Sequence, residues 1–98
     1  LARLELSEAA DADLAAILAY SIEAFGRETA EAYLRSFEDS FALLREHPRA
    51  GAIHPIVEPT IRSLSHRSHR IFYDVEADVI VVVRVLHKAM DVERWLGS

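Results

Sequence analysis

Val79-Ile80-Val81-Val82-Val83-Arg84-Val85-Leu86-His87-Lys88 is the stretch on which the fold turns. A β-branched run this continuous does not face water on either side, so it reads as a central strand of a covered sheet. Alternation along the strand carries the Arg84 cation to one face and hands the chain to His87 and Lys88 at the downstream end. A buried strand that ends in basic groups forms either a site or a ledge for a partner.

Working outward, Ile61 to Ser65, His69 to Val75 and Val79 to Leu86 are separated by the short polar links Arg67-Ser68 and Glu76 to Asp78. That spacing predicts a three-strand antiparallel meander. Upstream, Gly51, Pro55 and Pro59 break all periodicity between Arg49 and Thr60, which predicts a surface loop. Before the loop, Ala30, Tyr33, Leu34, Phe37, Phe41 and Leu44 form one helical stripe, stopped by Pro48. An earlier helix over residues 8–25 is capped by Ser7 and carries Glu8 and Asp11 in its first turn. Its core face is predicted to hold Ala10, Leu14, Ile17, Leu18, Ser21 and Phe25, and Gly26 closes it. Leu4 and Leu6 alternate with Arg3 and Glu5 as a short opening strand. At the other end, Asp91 is predicted to cap a short last helix bearing Val92, Trp95 and Leu96. The expected architecture is one α+β domain over residues 1–98: a helical hairpin packed on a small, mainly antiparallel four-stranded sheet, with a short C-terminal helix.

Composition narrows the function classes. A chain of 98 residues with 51% hydrophobic content makes one small core, burying roughly 65% of its unfolded surface, and a bound partner adds stability by mass action. Cys is absent, so neither a disulfide nor a thiolate zinc site holds the fold. With no run of spanning length and no basic leader before a hydrophobic run, the chain is expected to be soluble and cytoplasmic, without membrane contact. The net charge of -5 is uneven: residues 1–48 carry four basic and ten acidic side chains, residues 49–98 seven and six. Between Pro59 and Tyr73 there is no carboxylate, while Arg62, His66, Arg67, His69 and Arg70 fall in that window. A basic strip on an acidic protein is weak support for phosphate or acidic-peptide contact, and solvated surface cations explain it equally well, so no direct nucleic-acid partner is expected.

Chemistry has few footholds. His66 and His69 lie three apart without a Cys or an acidic residue before Asp74, so no metal is expected. No Gly-x-Ser-x-Gly turn and no glycine-rich phosphate loop occur, and no cofactor is implied. One constellation remains: Arg62, Arg70, Tyr73, Arg84 and His87 converge if their strands are neighbours, with arginines to stabilise a phosphorane and an imidazole to move protons. Parity opposes it, because Arg70 and Tyr73 are three apart on one strand and point to opposite faces; the plainer expectation leaves Arg62 and Arg70 in solvent and Tyr73 in the core. Ala12, Ala15, Ala16 and Ala19 form a strip on the first helix opposite its core face, and Leu43 lies off the stripe of the second. Such a surface admits close approach of another helix or strand, although alanine is also simply a good helix former.

Leu6-Ser7-Glu8-Ala9-Ala10 with Asp13-Leu14 and Ile17, Ala30 with Tyr33, Leu44 with Pro48 and Gly51, and Arg84-Val85-Leu86-His87 followed by Met90-Asp91 occur in an order and spacing that resembles the ParE branch of the RelE/ParE toxin superfamily across nearly the whole chain. The resemblance implies a plasmid-stabilising type II toxin that inhibits DNA gyrase by binding and is held inactive in a hetero-oligomer by a ParD-like antitoxin. The alanine strip and Leu43 are then the expected antitoxin contacts, and His87, Lys88, Arg94 and Trp95 the expected target contacts. The RelE branch instead cuts messenger RNA on the ribosome, for which Arg62, Arg70, Arg84 and His87 are the candidates here. The chain ends in Trp95-Leu96-Gly97-Ser98 without a terminal Tyr, and its acidic balance suits the ribosome poorly, so binding without catalysis is the favoured expectation. An inert paralogue serving only as an antitoxin-binding module is the third.

Overall fold

The computed structural model describes residues 1–54, 61–90 and 94. Strand β1 (Arg3–Leu6) leads into helix α1 (Glu8–Phe25) and helix α2 (Arg27–Glu46), followed by β2 (Ala52–His54), β3 (Ile61–His66), β4 (His69–Glu76) and β5 (Val79–His87). The strands form one sheet in the order β1-β5-β4-β3-β2. All neighbours run antiparallel except β1, which lies parallel to β5 with Leu6 opposite Val82. The expected central strand is therefore second from one edge, and the helical hairpin covers one face of the sheet.

The local reasons are visible in the caps. Ser7 Oγ accepts the amide of Ala10 at 3.0 Å and donates to the carbonyl of Val83 at 2.9 Å, so one side chain both starts α1 and fixes it to β5. Gly26 alone links the two helices, with φ at 89°, a conformation that side chains with a Cβ disfavour. α2 therefore begins at Arg27, before the first residue of the stripe that starts at Ala30. From the hairpin, Ala10, Phe37, Phe41 and Leu44 pack on Ile71, Tyr73, Ile80, Val82 and Val85 of the sheet. Helices that bury alanines such as Ala10 and Ala30 come close to their neighbours, and dispersion and apolar burial stabilise the layer.

Three features depart from the sequence expectation. First, the sheet has five strands rather than four, because Ala52–His54 pairs with β3 inside the expected loop. Three residues are too few to show a period, and the strand is anchored from outside itself. The Gly51 amide donates to Tyr73 Oη at 2.8 Å, Tyr73 Oη donates to the carbonyl of Pro48 at 2.7 Å, and Arg62 Nη1 donates to the Gly51 carbonyl at 2.8 Å. A Cβ on Gly51 would lie 2.7 Å from both the Ser63 carbonyl and Tyr73 Oη, so only glycine fits there. Second, β5 carries a bulge: Phe72 faces Arg84 while Tyr73 faces Val82, leaving Val83 as the extra residue. Parity reverses at that point, so Val82 and Val85 both face the helices whereas Val83 and Leu86 join Ile61 and Phe72 in a second buried cluster. Third, Phe25 is 65% exposed rather than part of the core stripe. The expected C-terminal helix, with Trp95, lies outside the described residues apart from Arg94. Among the described residues no helix is long and apolar enough to cross a membrane.

Candidate functional site

Where α1 runs out towards Gly26, it stands away from the end of the β4–β5 hairpin. The opening between them is a groove of about 780 Å³, lined from α1 by Ala16, Ile17, Tyr20 and Phe25, from α2 by Ala30 and Tyr33, from the sheet by His69, Val85 and His87, and from the turn after β5 by Met90. Tyr20 is 70% exposed and Met90 43%, so large apolar side chains stand in water around it. Such a patch, walled by regular elements, is the form of a protein-binding surface. β1 stops pairing at Val82, and among the described residues no strand lies against β5 on that side from Val83 to His87, while β4 continues to pair along the other side.

The floor of the groove is polar and satisfied. Arg84 Nε donates to Asp13 Oδ2 at 2.7 Å, Arg84 Nη2 to Asp13 Oδ1 at 2.8 Å, and the Val85 amide to Asp13 Oδ2 at 2.9 Å. A carboxylate on α1 thus takes over the edge of β5 where β1 leaves it. With side chains only 14% and 20% exposed, the pair is a fork-on-fork contact in which the Asp13 hydrogen bond pushes the Arg84 pKa still higher. Arg84 is a strut.

The histidines divide by role. His66 bonds Ser36 Oγ through Nε2 at 2.8 Å and Ser40 Oγ through Nδ1 at 2.7 Å, and its ring stacks on Phe37 at 4.2 Å. Both nitrogens are occupied, and burial, then Arg67, lowers its pKa. His69 bonds Tyr33 Oη through Nδ1 at 2.7 Å and meets the His87 ring edge-on at 5.4 Å. Burial, followed by the two neighbouring imidazoles, brings its pKa down to about 4. His87 Nδ1 accepts the amide of Ala89 at 3.0 Å. Among the described residues no three His, Cys, Asp or Glu side chains are placed to share a metal.

The catalytic candidates do not meet. Arg62 turns towards the β2 end, where it is half-buried and donates to the carbonyls of Gly51 and Arg49, and it does not line the groove. Arg70 shares a strand face with Phe72, away from buried Tyr73, as parity requires. Arg84 is tied to Asp13, and His87 alone of the four lies open in the groove. Of the alanine strip, Ala16 lines the groove; Ala12, Ala15 and Ala19 are exposed beside it, and Leu43, 40% exposed, lies far along α2. Lys88 and Arg94 are exposed, and Trp95 lies outside the described residues. Sequence reasoning missed Tyr20 and Tyr33 as groove walls and Asp13 as the brace. Only the spacing of Asp13 from Ser7 hinted at the last, since just under two turns of helix bring it back over β5, the strand to which Ser7 bonds.

A helical hairpin laid across one face of a mixed sheet defines the RelE/ParE-like fold. A chain from the solved structure of a chromosomal ParDE TA system from P. aeruginosa superposes with a TM-score of 0.77 over 88% of this chain and 95% of that one, at 23% identity. The family described as ParE toxin of type II toxin-antitoxin system, parDE, matches residues 4–92. Toxin ParE1 of Mycobacterium tuberculosis is 40% identical over 95 residues, 96% of this chain and 97% of the relative. Toxin ParE1 of Caulobacter vibrioides is 35% identical over 92 residues, 94% and 95% of the two. The chain belongs to the ParE family of type II toxin-antitoxin toxins, and its partner class is an antitoxin.

Proposed function

We propose that this toxin inhibits DNA gyrase by binding it in the cytoplasm, and that a ParD-like antitoxin neutralises it by filling the groove in a toxin–antitoxin hetero-oligomer. The observation that carries the reading is the groove itself: a walled apolar surface on a braced floor, in a molecule whose Arg62 is turned to the β2 end and whose Arg84 is tied to Asp13. Dispersed cations suit a contact surface better than phosphoryl transfer, which needs them gathered on one phosphate. His87, Lys88, Arg94 and Trp95 are the proposed gyrase contacts. Because His87 also lines the groove, an antitoxin seated there covers part of the same surface, and neutralisation follows by occlusion.

The test is a supercoiling assay with purified gyrase, beside an assay for cleavage of ribosome-bound message. Loss of supercoiling, relieved by antitoxin and without RNA cutting, is the expected result. Message cleavage abolished by His87→Ala would establish the RelE-like reading instead. Antitoxin binding with neither activity would mark an inert binding module.

A further inference from the structure

The groove has a chemical direction that its apolar walls conceal. Among its described lining residues Asp13 is the one carboxylate, and both its oxygens are already taken by Arg84 and the Val85 amide. The opposite end holds His69 and His87, with Arg67 5.7 Å above the Tyr33 ring and Lys88 next along the chain. Around His69 stand Tyr33 from α2, His66 from β3, Arg67 from the β3–β4 turn, and His87 and Lys88 from β5 and the residue after it; none of these is an acid.

Hydrogen bonding fixes what the two imidazoles offer. His87 Nδ1 accepts the Ala89 amide, so its proton sits on Nε2, and a second proton would face an N–H. His69 Nδ1 is held by a phenol, the better donor of that pair, so its proton also sits on Nε2. Unlike an amide, a phenol can reverse. Were His69 Nδ1 protonated, Tyr33 Oη would accept and turn its own hydrogen towards Ser68 Oγ, 3.4 Å away. At this end of the groove both imidazoles therefore present donors, and one of the two rings can take up a proton without breaking its hydrogen bond.

We infer that the antitoxin segment lying in this groove is apolar along its length and carries a carboxylate that seats between the Nε2–H groups of His69 and His87, drawing a proton from solvent onto His69 Nδ1. The inference rests on the proposed antitoxin reading of the groove and adds its chemistry and its proton linkage. In the free toxin, burial keeps His69 neutral, and a carboxylate held against it in a dry groove reverses that preference. Binding then consumes a proton and tightens as pH falls.

The probe is the full-length antitoxin encoded beside the toxin, titrated calorimetrically into the whole toxin at pH 6 in two buffers of different ionisation enthalpy. Net proton uptake is expected, with affinity weakening by up to about tenfold per unit rise in pH. His69→Gln should bind without uptake, whereas His87→Gln should bind more weakly and still take up the proton. Replacing the antitoxin's carboxylates by amides one at a time should identify one whose loss abolishes uptake. In wild-type toxin, whose folding is not in question, the ring signals of His69 followed by NMR should titrate at higher pH in the complex than in the free protein. Binding without uptake, or uptake that survives His69→Gln, would overturn the inference and show a neutral apolar occupant. Self-association of toxin through the groove in the absence of antitoxin would overturn it in favour of a second copy. Failure of the wild type to bind antitoxin at any pH would overturn the antitoxin reading itself, and the inference with it.

Discussion

The two ends of the hairpin–sheet sandwich use similar side chains to opposite effect. Beside β2, a tyrosine, a glycine and an arginine close the structure: Tyr73 is fully buried, and its hydroxyl, the Gly51 amide and the Pro48 carbonyl satisfy one another. At the Gly26 end, Tyr20 and Phe25 are more than half exposed, although they belong to the same layer of helices. The polar groups beneath them, Asp13 with Arg84 and Tyr33 with His69, are as fully partnered as those at the closed end. The open end is therefore a braced surface whose apolar walls and imidazole edges lack contact, which is what a partner supplies.

Breaking the brace under the groove should have the largest effect on stability. Asp13→Ala leaves a mostly buried guanidinium and the Val85 amide without their carboxylate, and should cost about 3 kcal/mol in urea unfolding. A loss below about 1 kcal/mol would mean that the floor is dispensable. Acid probes the same end through His69. Its folded pKa of about 4 lies below the ordinary 6.5, so the unfolded chain binds the proton first. The resulting stabilisation is complete above pH 6.5 and is lost as pH falls towards 4, amounting to no more than about 3 kcal/mol. His66 works in the same direction. Comparing unfolding at pH 7.5 and pH 5 should show the decline, and His69→Gln should flatten it.

At the closed end, Tyr73→Phe strands the Gly51 amide and the Pro48 carbonyl and should cost about 2 kcal/mol by chemical denaturation. Less than that would place β2 outside the cooperative core. The smallest effect belongs to a turn that touches neither end. Ala77 has φ of 55° and is exposed, so Ala77→Gly should raise stability by about 0.5–1 kcal/mol and leave the contrast between the ends unchanged.

This contrast also explains what the sequence could and could not disclose. The bounds of α1 and the end of α2 were legible because Ser7, Gly26 and Pro48 act locally and the stripe from Ala30 to Leu44 repeats over about four turns. The β3–β4–β5 meander was legible for the same reason, as each link is two or three residues long. β2 was hidden because its partners, Tyr73 and Arg62, come from elsewhere in the chain. The bulge at Val83 was hidden inside a run of identical valines, where no pattern registers a shift of one residue. Phe25 could not be distinguished from a core residue, since periodicity reports which side of a helix is apolar and not whether anything covers it. For the same reason the pattern of the alanine strip gave no sign that, of its four members, only Ala16 lines the groove.

The most direct test of the account therefore pairs one substitution with two readings. Ala16→Arg places a charge and a long side chain on the groove wall without entering the core. The melting temperature of the free toxin should stay within about 2 °C of wild type, since exposed helical substitutions cost little, while antitoxin affinity falls by at least about tenfold, or 1.4 kcal/mol. Unchanged affinity at unchanged stability would show that the antitoxin binds elsewhere and that the groove is not the surface this molecule keeps open for a partner.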